Sequence, residues 1–416
     1  MTLLLDLEYY PKLPDAVVQD AVKEIKENMK NWAHPFFMDV YGYADLDKFR
    51  EIIKPFVDRE NLKHLIILGT GGSIQTMKAL EGLTKLEFHP ITSSRPRELV
   101  HVLNACSPEE SLVIPISRGG KTLDVNSTIH VFKDYPKMAL SSKGPMYEYV
   151  KSLDIPILPV PDLSGRFAAS ICSVALVPAM ISGIDVELFL ENLATGYSEF
   201  KDLHDFEKNY ALQYATYLYS LYNDGYRNIF SMPYSSYLMG TAGLFVQEIS
   251  ESSGKNHKGL LGTKQTAPLC QHSVLELLLG GSKGHTSPLL WTVSNEPDDI
   301  PINNPEFGLE NQTALNIINH QADATFQALL GQKIPAAKLN LKNISVPSLA
   351  HAIAFVQSTI YYFCMLLNVN WESNPLVNVG KKICNEAIAA NKNPEQRRSE
   401  RVEVAKKHLG EMEFTI

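Results

Sequence analysis

Two carboxylates three residues apart, Glu248 and Glu251, fall within the stretch Gln247-Glu248-Ile249-Ser250-Glu251-Ser252-Ser253-Gly254-Lys255. The apolar run from Tyr237 to Phe245 before it and the glycine after it predict a buried helix that ends here. A spacing of three lets both carboxylates face the same way. The end of a helix carries the negative pole of its dipole, where a carboxylate costs stability and a lysine would be favoured. Acids kept in such a place suggest a functional job, without implying a particular reaction. The residue types alone leave open which of the two does it.

Two loops could hold an anion. Gly69-Thr70-Gly71-Gly72-Ser73 ends one apolar run, and its glycines let backbone amides approach an anion closely. It is not G-x-G-x-x-G, and no acidic residue follows a clear second strand, so a nicotinamide cofactor is not indicated. Ser117-Arg118-Gly119-Gly120-Lys121-Thr122 ends a second run with two hydroxyls, two cations and two glycines. A helix expected over Thr122–Phe132 would aim its amide end at the same place, which makes this a phosphate site. The spacing is not that of a P-loop, so nucleotide hydrolysis is not indicated. Arg166, in Ser164-Gly165-Arg166-Phe167, stands at the mouth of a very apolar helix expected from Ala168 to Ile181, facing either a ligand or an acidic partner.

The elements that must position these residues alternate. Strands are expected at His64–Leu68, Ser111–Ser117, Lys137–Leu140 and Ile155–Val160. A second series follows at Asn228–Met232, Leu289–Val293 and Ala337–Leu341, with helices at Glu310–Leu330 and Val346–Leu366. That alternation implies an α/β class with two doubly wound, mostly parallel sheets and helices on both faces. The expected units are a helical segment at 1–59, a first α/β domain at 60–200, a second at 201–375, and a C-terminal helix and tail at 376–416. A final helix is expected near Asn378, and the charged tail from Asn391 reads as a solvated arm with a break at Pro394.

The chain has 416 residues and a net charge of -8, which argues against an open nucleic-acid surface but not against a local cationic pocket. Its five cysteines, Cys106, Cys172, Cys270, Cys364 and Cys384, are scattered without a CxxC pair and read as reduced thiols of a cytoplasmic protein. The N-terminus lacks a basic signal-peptide region, and the apolar stretches at Cys172–Ile181 and Ala352–Val356 read as too short or interrupted to span a bilayer. His257, His285 and Lys283 read as solvated surface.

Taken in order, these segments resemble the glucose-6-phosphate isomerase (phosphoglucose isomerase) family, of the sugar-isomerase (SIS) fold, over about residues 60 to 390. Gly69–Ser73 is similar to its first glycine loop and Ser117–Val125 to its phosphate loop. Gly165-Arg166-Phe167 through Gly183-Ile184-Asp185 resembles its arginine motif, and Gln247–Lys255 its glutamate motif. Gln271-His272-Ser273 resembles its histidine motif, and Asn374-Pro375 with Gly380-Lys381-Lys382 its terminal lysine motif. The resemblance implies reversible aldose–ketose isomerisation of a sugar phosphate through ring opening and an enediol. It selects Glu251 as the base and gives Arg166 the developing oxyanion. His272 and Lys381 take the ring-opening protons. Gly71, Gly72, Ser73, Ser117, Arg118, Gly119, Lys121 and Thr122 bind substrate. It implies no metal or cofactor, and a homodimer in which His272 reaches the site of the partner subunit. Lys381 is expected to begin a helix, whose positive end would favour its neutral form. Glu251, at a negative end, is expected to hold its proton more readily.

The chain departs from the family in the phosphate loop. Gly119 and Val125 stand where hydroxyls are usual, and Lys121 replaces another hydroxyl residue. Lys121 and Arg118 are expected to compensate by charge. The segment Leu376–Val379 is also shorter than the family's. These departures admit an isomerase of altered specificity, acting for example on mannose 6-phosphate as well, or a non-catalytic sugar-phosphate sensor.

Overall fold

Apolar runs that lie between helices on both faces become buried parallel strands. The structure, a computed structural model, describes residues 4–281 and 284–391, with 393, 395, 403, 404, 406 and 407. Pro394, Lys283 and most of the tail lie outside the described residues.

The chain begins with β1 (Leu5–Tyr10) inside the segment expected to be helical. Leu5, Leu7 and Tyr9 point inward and Asp6 and Glu8 outward, the alternation of a half-covered strand. Two helices, Asp15–Asn28 and Leu46–Val57, follow. The first sheet then forms from β2 (His64–Leu68), β3 (Glu87–Ile91) and β4 (Ser111–Pro115), in the order β3-β2-β4. Short strands β5 (Ala139–Leu140) and β6 (Ile157–Leu158) extend it through parallel bridges Val113↔Lys137 and Ile116↔Leu140. Every residue of β2 and β4 is buried.

The second sheet contains β7 (Asn228–Pro233), β8 (Leu261–Lys264), β9 (Thr286–Val293) and, after a hairpin of β10 (Pro301–Asn304) and β11 (Leu309–Thr313), β12 (Ala336–Leu341). Its order is β1-β12-β9-β7-β8. All pairings are parallel except β1 with β12, where Leu5 faces Leu341 and Tyr10 faces Ala336. The N-terminal strand therefore completes the sheet of the second unit. The helix expected from Glu310 starts only at Ala314, because Glu310–Thr313 pair in the hairpin and the Thr313 hydroxyl caps the helix by accepting from Asn316 N at 3.1 Å.

The centre of the molecule is the helix Val346–Leu367, which starts at the Ser345 cap and stops where Asn368 turns left-handed. It is long and apolar enough to cross a membrane, yet its apolar window lies wholly inside the fold. It is a core helix, packed against the helices Val186–Lys201, Tyr210–Asn223 and Met239–Ser253. Smaller apolar clusters cover the other faces of the two sheets, giving the helix-coated α/β architecture expected from the alternation.

Candidate active site

The helix Met239–Ser253 belongs to the second unit, and its last turn meets Arg166 from the first. Arg166 is buried, and its Nη1 donates to Glu251 Oε1 at 3.0 Å. Its Nε donates to Ser252 Oγ at 3.1 Å, and Nη2 donates to the carbonyls of Trp371 and Glu372 at 3.1 and 3.0 Å. Among the described residues, these four bonds leave a single guanidinium N–H, on Nη1, for another acceptor. The side-chain amide of Gln247 donates to Glu251 Oε2 at 3.0 Å, and that of Asn374 donates to Oε1. Glu251 is thus a partly exposed carboxylate with donors on both oxygens.

Glu248, one turn earlier, is fully buried. Its Oε1 accepts from the Gln357 amide at 3.1 Å, while Oε2 has no hydrogen-bond partner among the described residues. Gln357 also donates to the carbonyl of Arg166 at 3.2 Å and accepts from the hydroxyls of Tyr197 and Ser170. Gln357 therefore ties both Glu248 and the backbone of Arg166 to the core helix, and Glu248 turns away from solvent.

The two environments drive the carboxyls apart. Burial raises Glu248 to about 8, against smaller lowering effects of the Gln357 bond and Arg166. Burial also pushes Glu251 upward, but the Arg166 charge and the bonds from Gln247, Asn374 and Arg166 outweigh it and hold the group below the usual carboxylate range. At neutral pH the inner acid is protonated and the outer one ionised. The expectation that the helix end would make Glu251 hold its proton more readily is corrected here. A guanidinium and two amides in contact act more strongly than a dipole end. That end is itself neutralised by Lys255, which donates to the carbonyls of Glu251, at 3.1 Å, and Ser252. Burial brings the Lys255 ammonium down to about 8.

The first glycine loop presses directly on this cradle. Gly71 has φ +60°, and a side chain there would approach the Gln247 amide. A Cβ on Gly72 would lie 2.6 Å from the Arg166 backbone nitrogen, so only glycine allows the loop to close. Ser73 ends the 3-10 turn between them and the following helix Gln75–Leu80.

The second loop is more open. The Ser117 and Thr122 hydroxyls bond each other at 2.8 Å across its base, while Arg118 and Lys121 are exposed. Arg118 pairs with Asp162 at 3.2 Å and donates to the Leu163 carbonyl, linking this loop to the segment that leads into Arg166. Gly119 has open space around it, and Val125 is buried in an apolar cluster and offers nothing to a ligand. The helix expected over Thr122–Phe132 is instead one α-turn, Leu123–Asn126, and a 3-10 turn, Ile129–Phe132. Between them Thr128 bonds the carbonyls of Asp124 and Val125, and Ser127 that of Asp124, which competes with helix propagation. The amide pole expected behind the phosphate is therefore short.

His272 and Lys381 do not join the cradle. His272 is exposed in the first turn of the helix Gln271–Gly280, which is anchored by Gln271 donating to Tyr234 and Thr325 at 2.6 Å each. Lys381 is exposed on the helix Val377–Ala389. It does not begin that helix, as expected, but lies in its second turn, beyond the reach of the positive end. His257 and His285 are exposed. Gln247 and Asn374, which touch the carboxylate, were visible only as members of matched motifs.

No protein-family model matches the chain. It is 25% identical over 366 residues to the glucose-6-phosphate isomerase of Methanocaldococcus jannaschii, covering 84% of this chain and 88% of that one. It is 24% identical over 366 residues to the glucose-6-phosphate isomerase of Campylobacter jejuni, covering 82% and 89%. Among solved structures, a hypothetical protein of Thermus thermophilus matches with a TM-score of 0.81 at 21% identity, over 92% of this chain and all of that one. A glucose-6-phosphate isomerase of Chlamydia trachomatis matches with 0.73 at 17% identity, over 96% and 91%. The resemblance drawn from the motifs is borne out by these relatives, and the fold is shared with these structures.

Proposed function

We propose that this protein is a glucose-6-phosphate isomerase, interconverting glucose 6-phosphate and fructose 6-phosphate. The observation that carries the reading is the ionised Glu251, held by Arg166, Gln247 and Asn374 beside the glycine loop. The names of the relatives identify the substrate class. Glu251 takes the proton from C2 of the open-chain aldose and returns it to C1, with an enediol between. Its low pKa makes it a weaker base, but makes its protonated form a stronger acid for the return. Arg166 has one N–H to offer the oxygen on which charge develops. The phosphate sits against Ser117, Thr122, Gly119 and the Gly71–Ser73 loop, with Lys121 beside it. Arg118 exchanges its exposed pairing with Asp162 for the phosphate, since such pairs contribute only about 0–1 kcal/mol. The chemistry asks for no metal or cofactor.

Ring opening is assigned to His272 and Lys381. Leu269, just before the helix that carries His272, and Leu277 on that helix are exposed, apolar surface that supports a homodimer in which His272 serves the partner's site. The cytoplasm suits the free cysteines. The hydroxyl-poor phosphate loop favours one second reading, broadened specificity that includes mannose 6-phosphate. A coupled assay of fructose 6-phosphate conversion, with Glu251→Gln as control, tests the proposal. Turnover by the wild type and its loss in the variant are expected. Equal inactivity of the two sinks the catalytic reading.

A further inference from the structure

A second cluster of reactive side chains lies at the opposite end of the first sheet. His64 is the first residue of β2, and Glu87 faces it as the first residue of β3. His89, two residues along β3, lies on the same face as Glu87. Cys106 follows the helix Pro96–Ala105, which packs over that face. The glycine and phosphate loops follow the carboxyl ends of β2 and β4, whereas this cluster sits where β2 and β3 begin. It is separate from the site described above.

The geometry is that of converging acceptors. His64 Nδ1 lies 3.2 Å from His89 Nε2 and 3.1 Å from Glu87 Oε2. His89 Nε2 lies 3.7 Å from the same carboxylate oxygen. The Cys106 sulfur completes the group with the two histidines, their ligand atoms all lying within 4.8 Å of one another. One proton on His64 Nδ1 can serve either the imidazole or the carboxylate, but not both. A shared cation satisfies all three at once. In a tetrahedral site with ligand bonds of about 2.0–2.3 Å, neighbouring donor atoms lie about 3.3–3.7 Å apart. The nitrogen–nitrogen and nitrogen–oxygen separations already fall near that range, and the sulfur, within 4.8 Å of the imidazole ligand atoms, is drawn in by the ion.

The surroundings suit a fixed ion. Cys106 and His64 are buried, His89 is half-buried, and Glu87 is exposed at the cluster's edge. The backbone of Cys106 is held at both groups: its N–H donates to Val102 at 2.9 Å and its carbonyl accepts from the Tyr135 hydroxyl at 2.7 Å. We propose that His64, Glu87, His89 and Cys106 form a binding site for a divalent cation of the zinc class. Two imidazoles, one thiolate and one carboxylate form a borderline-soft set that favours Zn²⁺ over Mg²⁺ or Ca²⁺. Binding releases the Cys106 thiol proton to solvent and forms a sulfur–metal bond. The ion ties β2, β3 and the helix Pro96–Ala105 together, a structural role.

The test uses the full chain, stripped with chelator and titrated with Co²⁺ and Zn²⁺. One Co²⁺ per chain with a thiolate charge-transfer band, displaced by Zn²⁺ and accompanied by a higher Tm, is expected. His89→Ala should weaken Zn²⁺ binding at least about tenfold, and Cys106→Ser should lose the band. His89→Ala changes a less deeply buried residue and keeps the test usable if the buried Cys106→Ser variant does not fold. Absence of the band in the wild type overturns the proposal, as does a band that survives in Cys106→Ser. Zn²⁺ affinity unchanged in His89→Ala also overturns it. None of these readouts depends on isomerase turnover.

Discussion

The surroundings of Glu251 and those of His272 and Lys381 are built to different standards. Around Glu251, a guanidinium, two amides and a glycine loop converge from segments as far apart in sequence as Gly71 and Asn374, and both carboxylate oxygens are engaged. His272 and Lys381 stand exposed on their helices, that of His272 anchored away from the cradle through Gln271. The cradle is complete within one chain because a buried charge must be compensated for the chain to fold at all. An exposed side chain carries no such obligation. The difference separates what folding requires from what it leaves free.

The comparison breaks most visibly if one chain proves sufficient. Glu251→Gln should lower kcat by about 10²–10⁴, and His272→Ala should also cripple turnover. Mixed after co-refolding, the two variants should recover about a quarter of wild-type activity, because half of the dimers are mixed and each has one intact site. Activity no higher than that of the separate variants places His272 within its own subunit or outside the chemistry.

The next effect falls on the cradle. Arg166→Ala leaves the part-buried Glu251 without its cation and releases the Trp371 and Glu372 carbonyls. A loss of about 3 kcal/mol in urea unfolding is expected, together with a fall in kcat. Arg166→Lys should restore little, since an ammonium cannot span the four contacts in their fork geometry. A loss below about 1 kcal/mol, the range of exposed pairs, would mean that the cradle is no more obligatory than the exposed half.

Much of this arrangement was legible in the residues. The strands β2 and β4 announce themselves as continuous apolar runs because both faces are covered. β3 does not, since Glu-Phe-His-Pro-Ile mixes charge, imidazole and proline. β8 has only four residues and includes a glycine. β1 carries a clear period of two, but a six-residue strand at the start of a chain has no partner until β12, more than 300 residues later. Glu251 and Arg166 stood out as charges in motifs. Gln247 and Asn374 did not, because a neutral amide has no signature of its own. Asn374 acquires a role only through a contact across 123 residues. The burial of Glu248 was equally hidden: on a helix face, three residues from Glu251, it looks the same until Gln357 arrives from the core helix.

That inner acid supplies the finest test of the comparison. In the unfolded chain Glu248 titrates near the ordinary 4.5, and in the folded protein near 8. Between these values the folded state keeps a proton that the unfolded state has lost, so stability from this group falls as pH rises. Glu248→Gln has nearly the same shape and still accepts from Gln357, but does not titrate. Relative to that variant, the wild type should lose about tenfold in its folding constant per pH unit from about pH 5 to about pH 8, then level off. Urea unfolding of both proteins at four pH values in this window measures the slope. The contribution of Glu251, ionised in both, drops out of the difference. Turnover at pH 7 should change little, because the glutamine reproduces the neutral acid beneath Arg166. Parallel stability profiles would mean that Glu248 is ionised when folded. The cradle would then hold two negative charges against one guanidinium, and the clean division between a neutral inner acid and a charged outer base would be lost.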